Sequence, residues 1–174
     1  MSPLKSFYGV VAAAVLAASY AGAAGASDPD ILRQTRDRAE IQALMWSYVR
    51  ALDTMNENAY AEVFTPDGSF GSGANAARGR DALRKMVTDL KKSRAEREAK
   101  GEPKQPPMHH IITNAHVEFI DRDNAVHHSY WMTVFAGGPG TQAPRVAAAG
   151  RGIDELVRLD GKWLIKTRNV APKD

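Results

Sequence analysis

Residues 109–135, HHIITNAHVEFIDRDNAVHHSYWMTVF, decide how the rest of the chain folds. Two runs rich in β-branched and aromatic residues, His109 to Ile120 and Ala125 to Phe135, flank the turn-forming Asp121-Arg122-Asp123-Asn124. That pattern predicts two antiparallel strands. Downstream, Gly137-Gly138-Pro139-Gly140 breaks the chain and Val146 to Leu159 reads as a third strand. Asp160-Gly161 is a two-residue hairpin signal, and Lys162 to Val170 returns as the last strand.

Upstream the period changes from two to 3.6. Ile41, Leu44, Met45, Tyr48 and Leu52 fall on one face of an amphipathic helix running from Ile31 to Asp53. Asn56 is placed to cap a short second helix carrying Ala59, Tyr60, Val63 and Phe64. Thr65-Pro66-Asp67-Gly68 reads as a turn into a brief strand at Ser69 to Ser72. Asp81 is placed to cap a third helix with Leu83, Met86, Val87 and Leu90 on one face. The charged run Lys91 to Glu102 reads as a solvated helix end and a loop closed by Pro103, Pro106 and Pro107, with a lid as the functional alternative. Helices first and an antiparallel meander afterwards predict an α+β fold: a cone-shaped barrel of helices on a curved sheet that encloses a pocket.

Strict alternation conflicts with one detail of this scheme. It puts His110 and Asn114 on one strand face and Val117 and Phe119 on the other. Either both faces are buried or a β-bulge intervenes.

The chain's 174 residues are enough for one domain. With 23 Lys+Arg against 20 Asp+Glu and no basic stripe interleaved with aromatics, nothing marks a nucleic-acid partner. Lys5, the apolar run Val10 to Ala18 and Ala24-Gly25-Ala26 have the layout of a secretory signal peptide (residues 1–26) cut after Ala26. Export to the periplasm or medium is the expectation, with residues 27–174 as the mature domain and no membrane attachment after cleavage. There is no cysteine, which removes disulfides, thiolate nucleophiles and cysteine-held metals.

Asp53 is the awkward residue of the first helix, since a carboxylate at a helix C-terminus opposes the helix dipole. Asp53, Tyr48 five residues earlier, His110 at a strand start and Arg168 near the end of the last strand could form one site. A carboxylate beside an imidazole fixes its tautomer and raises its basicity, and a buried guanidinium stabilises developing negative charge. Taken singly, each has a plainer reading: Tyr48 as core, Asp53 as a terminal acid, His110 as a satisfied strand residue, Arg168 as surface. The doublets His109-His110 and His127-His128 leave open a zinc site built from one member of each plus a carboxylate.

The stretches Asp37-Arg38-Ala39-Glu40-Ile41, Tyr48 through Asp53, Phe64-Thr65-Pro66-Asp67-Gly68, Met108 through Asn114, and Asp160 through Arg168 occur in a telling order. In them the chain resembles the SnoaL-like group of the nuclear transport factor 2-like superfamily, which includes ketosteroid isomerase, scytalone dehydratase, bile-acid dehydratase and a dehydrochlorinase. The resemblance implies a catalytic Asp53–His110 pair, with Tyr48 matching a tyrosine of the dehydratase branch and Arg168 an arginine that follows the Trp-containing strand.

The function expected is a cofactor-independent lyase or isomerase acting on an apolar oxygenated small molecule such as a steroid or polyketide-like ring. Substrate would be held by Trp46, Phe64, Met86, Asn114, Tyr130, Trp131 and Met132. No cofactor or metal is implied. The alternative is a non-catalytic periplasmic binding protein of the same fold. A homodimer through the exposed sheet face is compatible with both.

Overall fold

The computed structural model describes residues 28–137 and 143–173. The expected signal segment therefore lies outside the described residues. The first helix, α1, spans Asp28–Asp53 and buries Ile41, Leu44, Met45, Tyr48, Val49 and Leu52. Its N-terminal half is fixed by charge. Asp37, fully buried, accepts from Arg158, whose guanidinium lies 4.6 Å from the centroid of the Trp163 ring. Asn56 caps α2 (Glu57–Glu62), accepting the Ala59 N–H at 3.0 Å.

Phe64 is not helical: it opens β1 (Phe64–Phe70), which includes the expected Thr65–Gly68 turn. The strand accommodates these residues through a register shift between Phe64 and Ser69. Glycine is needed inside that irregularity, because a Cβ on Gly68 would sit 2.9 Å from the Phe64 Cβ and 3.0 Å from the Ile165 carbonyl. A short β2 (Ala77–Arg78) leads into α3 (Gly79–Ala99). Asp81 does not cap α3; it lies in the first turn and pairs with Arg84 at 2.7 Å. The charged run from Lys91 continues the helix to Ala99, aided by the i,i+4 pair Lys92–Glu96.

Four long strands follow: β3 (Met108–Phe119), β4 (Asn124–Phe135), β5 (Arg145–Leu159) and β6 (Lys162–Asn169). The sheet order is β2-β1-β6-β5-β4-β3. All neighbours are antiparallel except β1 and β6, which run parallel. This six-stranded mixed sheet is open, a cone rather than a closed barrel, and the helices fill its concave side. Tyr60, Phe64, Leu83, Leu156 and Ile165 form the centre of the core. Among the described residues no helix is long and apolar enough to cross a membrane.

The conflict in β3 is resolved by a bulge. Asn114 and Ala115 together oppose Ser129, and Asn114 has φ 50°, a left-handed conformation that asparagine tolerates. The extra residue switches the parity of the strand. His110 and Ile112 before it share a face with Val117 and Phe119 after it.

Candidate active site

Asp53 and His110 meet. The Asp53 Oδ1 accepts the His110 backbone N–H at 2.9 Å and lies 2.8 Å from His110 Nδ1. A carboxylate can only accept, so Nδ1 carries a proton and, in the neutral imidazole, Nε2 presents a lone pair. The awkward acid at the end of α1 thus has its partner near the start of β3 rather than in its own helix. Both side chains are largely buried, Asp53 9% and His110 20% exposed.

His110 lines an open cleft of about 880 Å³ between α1 and the β3 edge. The α1 wall includes Arg38, Ile41, Met45, Trp46 and Val49, and the β3 wall includes Ile112, Ala115 and Val117. The lining is apolar apart from a few groups, and His127 of β4 reaches the same cleft.

Tyr48 and Arg168 pack together behind this cleft and do not line it. The Arg168 guanidinium lies 4.3 Å from the Tyr48 ring centroid, and it is 2% exposed, not at the surface. Burial works against its charge, but Tyr48 and Asp154 more than offset this and hold its pKa above the ordinary value. Burial likewise raises the Tyr48 phenol, against the opposing pull of Arg168, so Tyr48 stays protonated at neutral pH.

Sequence reading missed the partner of Arg168. Asp154 Oδ2 accepts from Arg168 and lies 3.0 Å from His127 Nδ1. His127, Asp154 and Arg168 occupy directly paired positions on β4, β5 and β6, forming one buried polar row across the sheet. Only the strand register brings these residues together; no local motif signals it.

Of the expected substrate-binding residues, Trp46 lines the cleft and is 66% exposed. The others are placed elsewhere. Phe64 is buried core and Met86 packs against it. Asn114 forms the bulge. The consecutive residues Tyr130, Trp131 and Met132 cannot share one wall, because strand neighbours face opposite sides. Tyr130 and Met132 lie on the face away from His110. Trp131 lies on the inner face, where its ring covers Gly150 and its Nε1 donates to the carbonyls of Arg151 and Val170, both at 3.0 Å. A Cβ at Gly150 would come 2.9 Å from the Trp131 Cζ2. The histidine doublets divide in the same way, with His110 and His127 inward. Among the described residues no three His, Cys, Asp or Glu side chains converge as a metal site.

A family model described as the SnoaL-like domain matches residues 33–169. The chain belongs to the SnoaL-like family. The match encloses Asp53, His110 and the whole polar row. No curated protein is similar enough to count as a relative. Among solved structures this SnoaL-like chain is similar to Rv3472, described as a protein of unknown function from Mycobacterium tuberculosis. The identity is 25% and the TM-score 0.65, over 82% of this chain and 75% of that one. It is also similar to a candidate scytalone dehydratase from Novosphingobium aromaticivorans: 21% identity, TM-score 0.61, over 80% and 85% of the two chains. A third is a protein from Catenulispora acidiphila in complex with S-DNPA: 25% identity, TM-score 0.58, over 78% and 92%.

Proposed function

We propose that this SnoaL-like protein is a lyase or isomerase of the dehydratase type, acting on an apolar oxygenated small molecule by side-chain acid–base chemistry. The observation that carries this is the Asp53–His110 pair on an apolar cleft, with Nδ1 engaged by the carboxylate. The family and the likeness to a candidate scytalone dehydratase and to a ligand complex support the reading.

In a β-hydroxy carbonyl compound, His110 Nε2 removes the proton beside the carbonyl and the C–H electron pair forms an enolate. The enolate collapses, the β-carbon–oxygen bond breaks, and the hydroxyl takes a proton from the His110 imidazolium to leave as water. Substrate becomes enone plus water, and His110 returns to its starting state. Asp53 stabilises the imidazolium and holds the ring in place. Tyr48 and Arg168, packed on each other and on Asp154, take no direct part in this step. Entry of the ring system beside Trp46 would place its apolar body against Ile112, Met45 and Val49.

The test is a screen of purified protein against hydroxylated cyclic ketones and enones, read by mass spectrometry for loss of water or isomerisation, with His110→Ala in parallel. Conversion by the wild type alone is the expected result. Binding without conversion by either protein would mean a ligand carrier instead. Export to the periplasm remains part of the proposal, checked by the N-terminal residue of protein recovered from that compartment.

A further inference from the structure

We propose that His127 forms a second polar subsite in the cleft, remote from His110. It would accept a hydrogen bond from a hydroxyl at the far end of an elongated apolar ligand whose carbonyl end lies at His110. What happens at His110 is taken from the function proposed above; the subsite itself concerns binding.

Both imidazoles reach the same cleft. His110 pairs across the sheet with Thr133, and His127 lies six residues before Thr133 on β4. That is an arc of about 20 Å at a rise of about 3.3 Å per residue, shortened in a straight line by the concave sheet. Between the two, the cleft wall is mainly apolar, with Ile112 and Val117 from β3 and Ile41 and Met45 from α1; Arg38, which donates to the Val117 carbonyl at 2.8 Å, and Gln42 also line it. A ligand reaching both ends is therefore long, with an apolar middle, the C–H beside its carbonyl facing His110 Nε2 and an oxygen at the far extremity.

The tautomer decides which oxygen function suits the far end. Asp154 only accepts, so the His127 Nδ1 donates to it and Nε2 is left as an acceptor. Arg168 shares the same carboxylate oxygen, and with a neutral imidazole the row carries no net buried charge. An acceptor needs a donor, and a hydroxyl supplies one. A structural row alone does not explain why a nearly buried imidazole with one free nitrogen borders a mainly apolar cleft.

The experiment is calorimetric titration of purified protein with two probes, testosterone and androst-4-en-3-one. They share the enone end and differ by one hydroxyl at the other. The wild type should bind testosterone about tenfold more tightly, the usual worth of one well-made hydrogen bond. His127→Leu should bring the ratio to about one while keeping the affinity for the deoxy compound. A wild-type ratio near one, no binding of either probe, or a ratio that survives His127→Leu overturns the proposal. Should His127→Leu fail to fold, the histidine nitrogen spectrum of the wild type decides. The His127 Nε2 signal should move with testosterone and not with its deoxy partner; equal movement with both overturns the subsite. Neither probe needs to be turned over. A protein that discriminates but catalyses nothing would keep the subsite and remove the reaction at His110.

Discussion

Asp53, the last residue of α1, holds His110 through two atoms at once, accepting its backbone N–H and its ring Nδ1–H on a single carboxylate oxygen. The backbone contact fixes where β3 starts relative to the helix end, and the ring contact fixes the imidazole. A helix terminus, a strand start and a proton acceptor are thereby set by one side chain.

Asp53→Asn should keep the fold and lose turnover by a factor of about 10² to 10⁴, the range over which positioned acid–base groups act. The amide can still face the backbone N–H, but it no longer stabilises an imidazolium. The check is kcat on whichever ketone the screen identifies, with circular dichroism as the fold control. An unchanged kcat would remove Asp53 from the chemistry.

Breaking the row Arg168–Asp154–His127 should be costly to stability. Asp154→Ala leaves the Arg168 guanidinium buried and unpaired, a loss of about 3–5 kcal/mol. Arg168→Met in the same chain should recover a large part of it. Urea unfolding of the single and double variants tests this, and additive losses would contradict the pairing.

The bulge sets which residues face the helices. At φ 50°, Asn114→Gly should be close to neutral, while Asn114→Val should cost about 1–2 kcal/mol through its β-branched clash in the left-handed region. Thermal unfolding distinguishes the two. Equal stability of both variants would mean that β3 does not hold this conformation.

Gly150 lies under the Trp131 ring with no room for a Cβ. Gly150→Ala should destabilise by about 1–3 kcal/mol, as overpacking does, and Trp131→Leu in the same chain should relieve the clash. A stable Gly150→Ala protein with unaltered indole fluorescence would contradict the packing.

Alkaline pH tests the buried tyrosines. Burial raises the pKa of Tyr48, and raises that of Tyr60 well above its usual 10.0. The folded chain then keeps phenol protons that the unfolded chain loses, so stability falls as pH climbs from 10 toward the folded values. The slope is at most about 1.4 kcal/mol per pH unit for each tyrosine. Tyr48→Phe and Tyr60→Phe should each flatten the decline in an unfolding series above pH 10.

Much of this was legible in the sequence where the physics is local. The 3.6 period of α1, the Asn56 cap and the Asp160-Gly161 hairpin, with φ 50° and 77°, depend on neighbours along the chain. The odd position of Asp53 pointed outward to a partner, and the structure supplies His110. The misreadings share one cause. Phe64 belongs to β1 because it pairs with Ile165, about a hundred residues away, and helical spacing in residues 59–64 carried no trace of that. Three consecutive strand residues, Tyr130 to Met132, drew attention by their size, although only the middle one faces inward. His127 looked like half of a doublet because its partners, Asp154 and Arg168, depend on register across three strands.

The most direct test of proton removal by His110 is deuterium exchange in D₂O, which needs no knowledge of the natural substrate's leaving group. Cyclic ketones that bind the cleft are incubated with wild type and His110→Ala, and incorporation beside the carbonyl is read by mass spectrometry. The account predicts enzyme-dependent exchange with the wild type and none above background with His110→Ala. Equal exchange by both proteins, or none by a wild type that demonstrably binds the ketones, would contradict it.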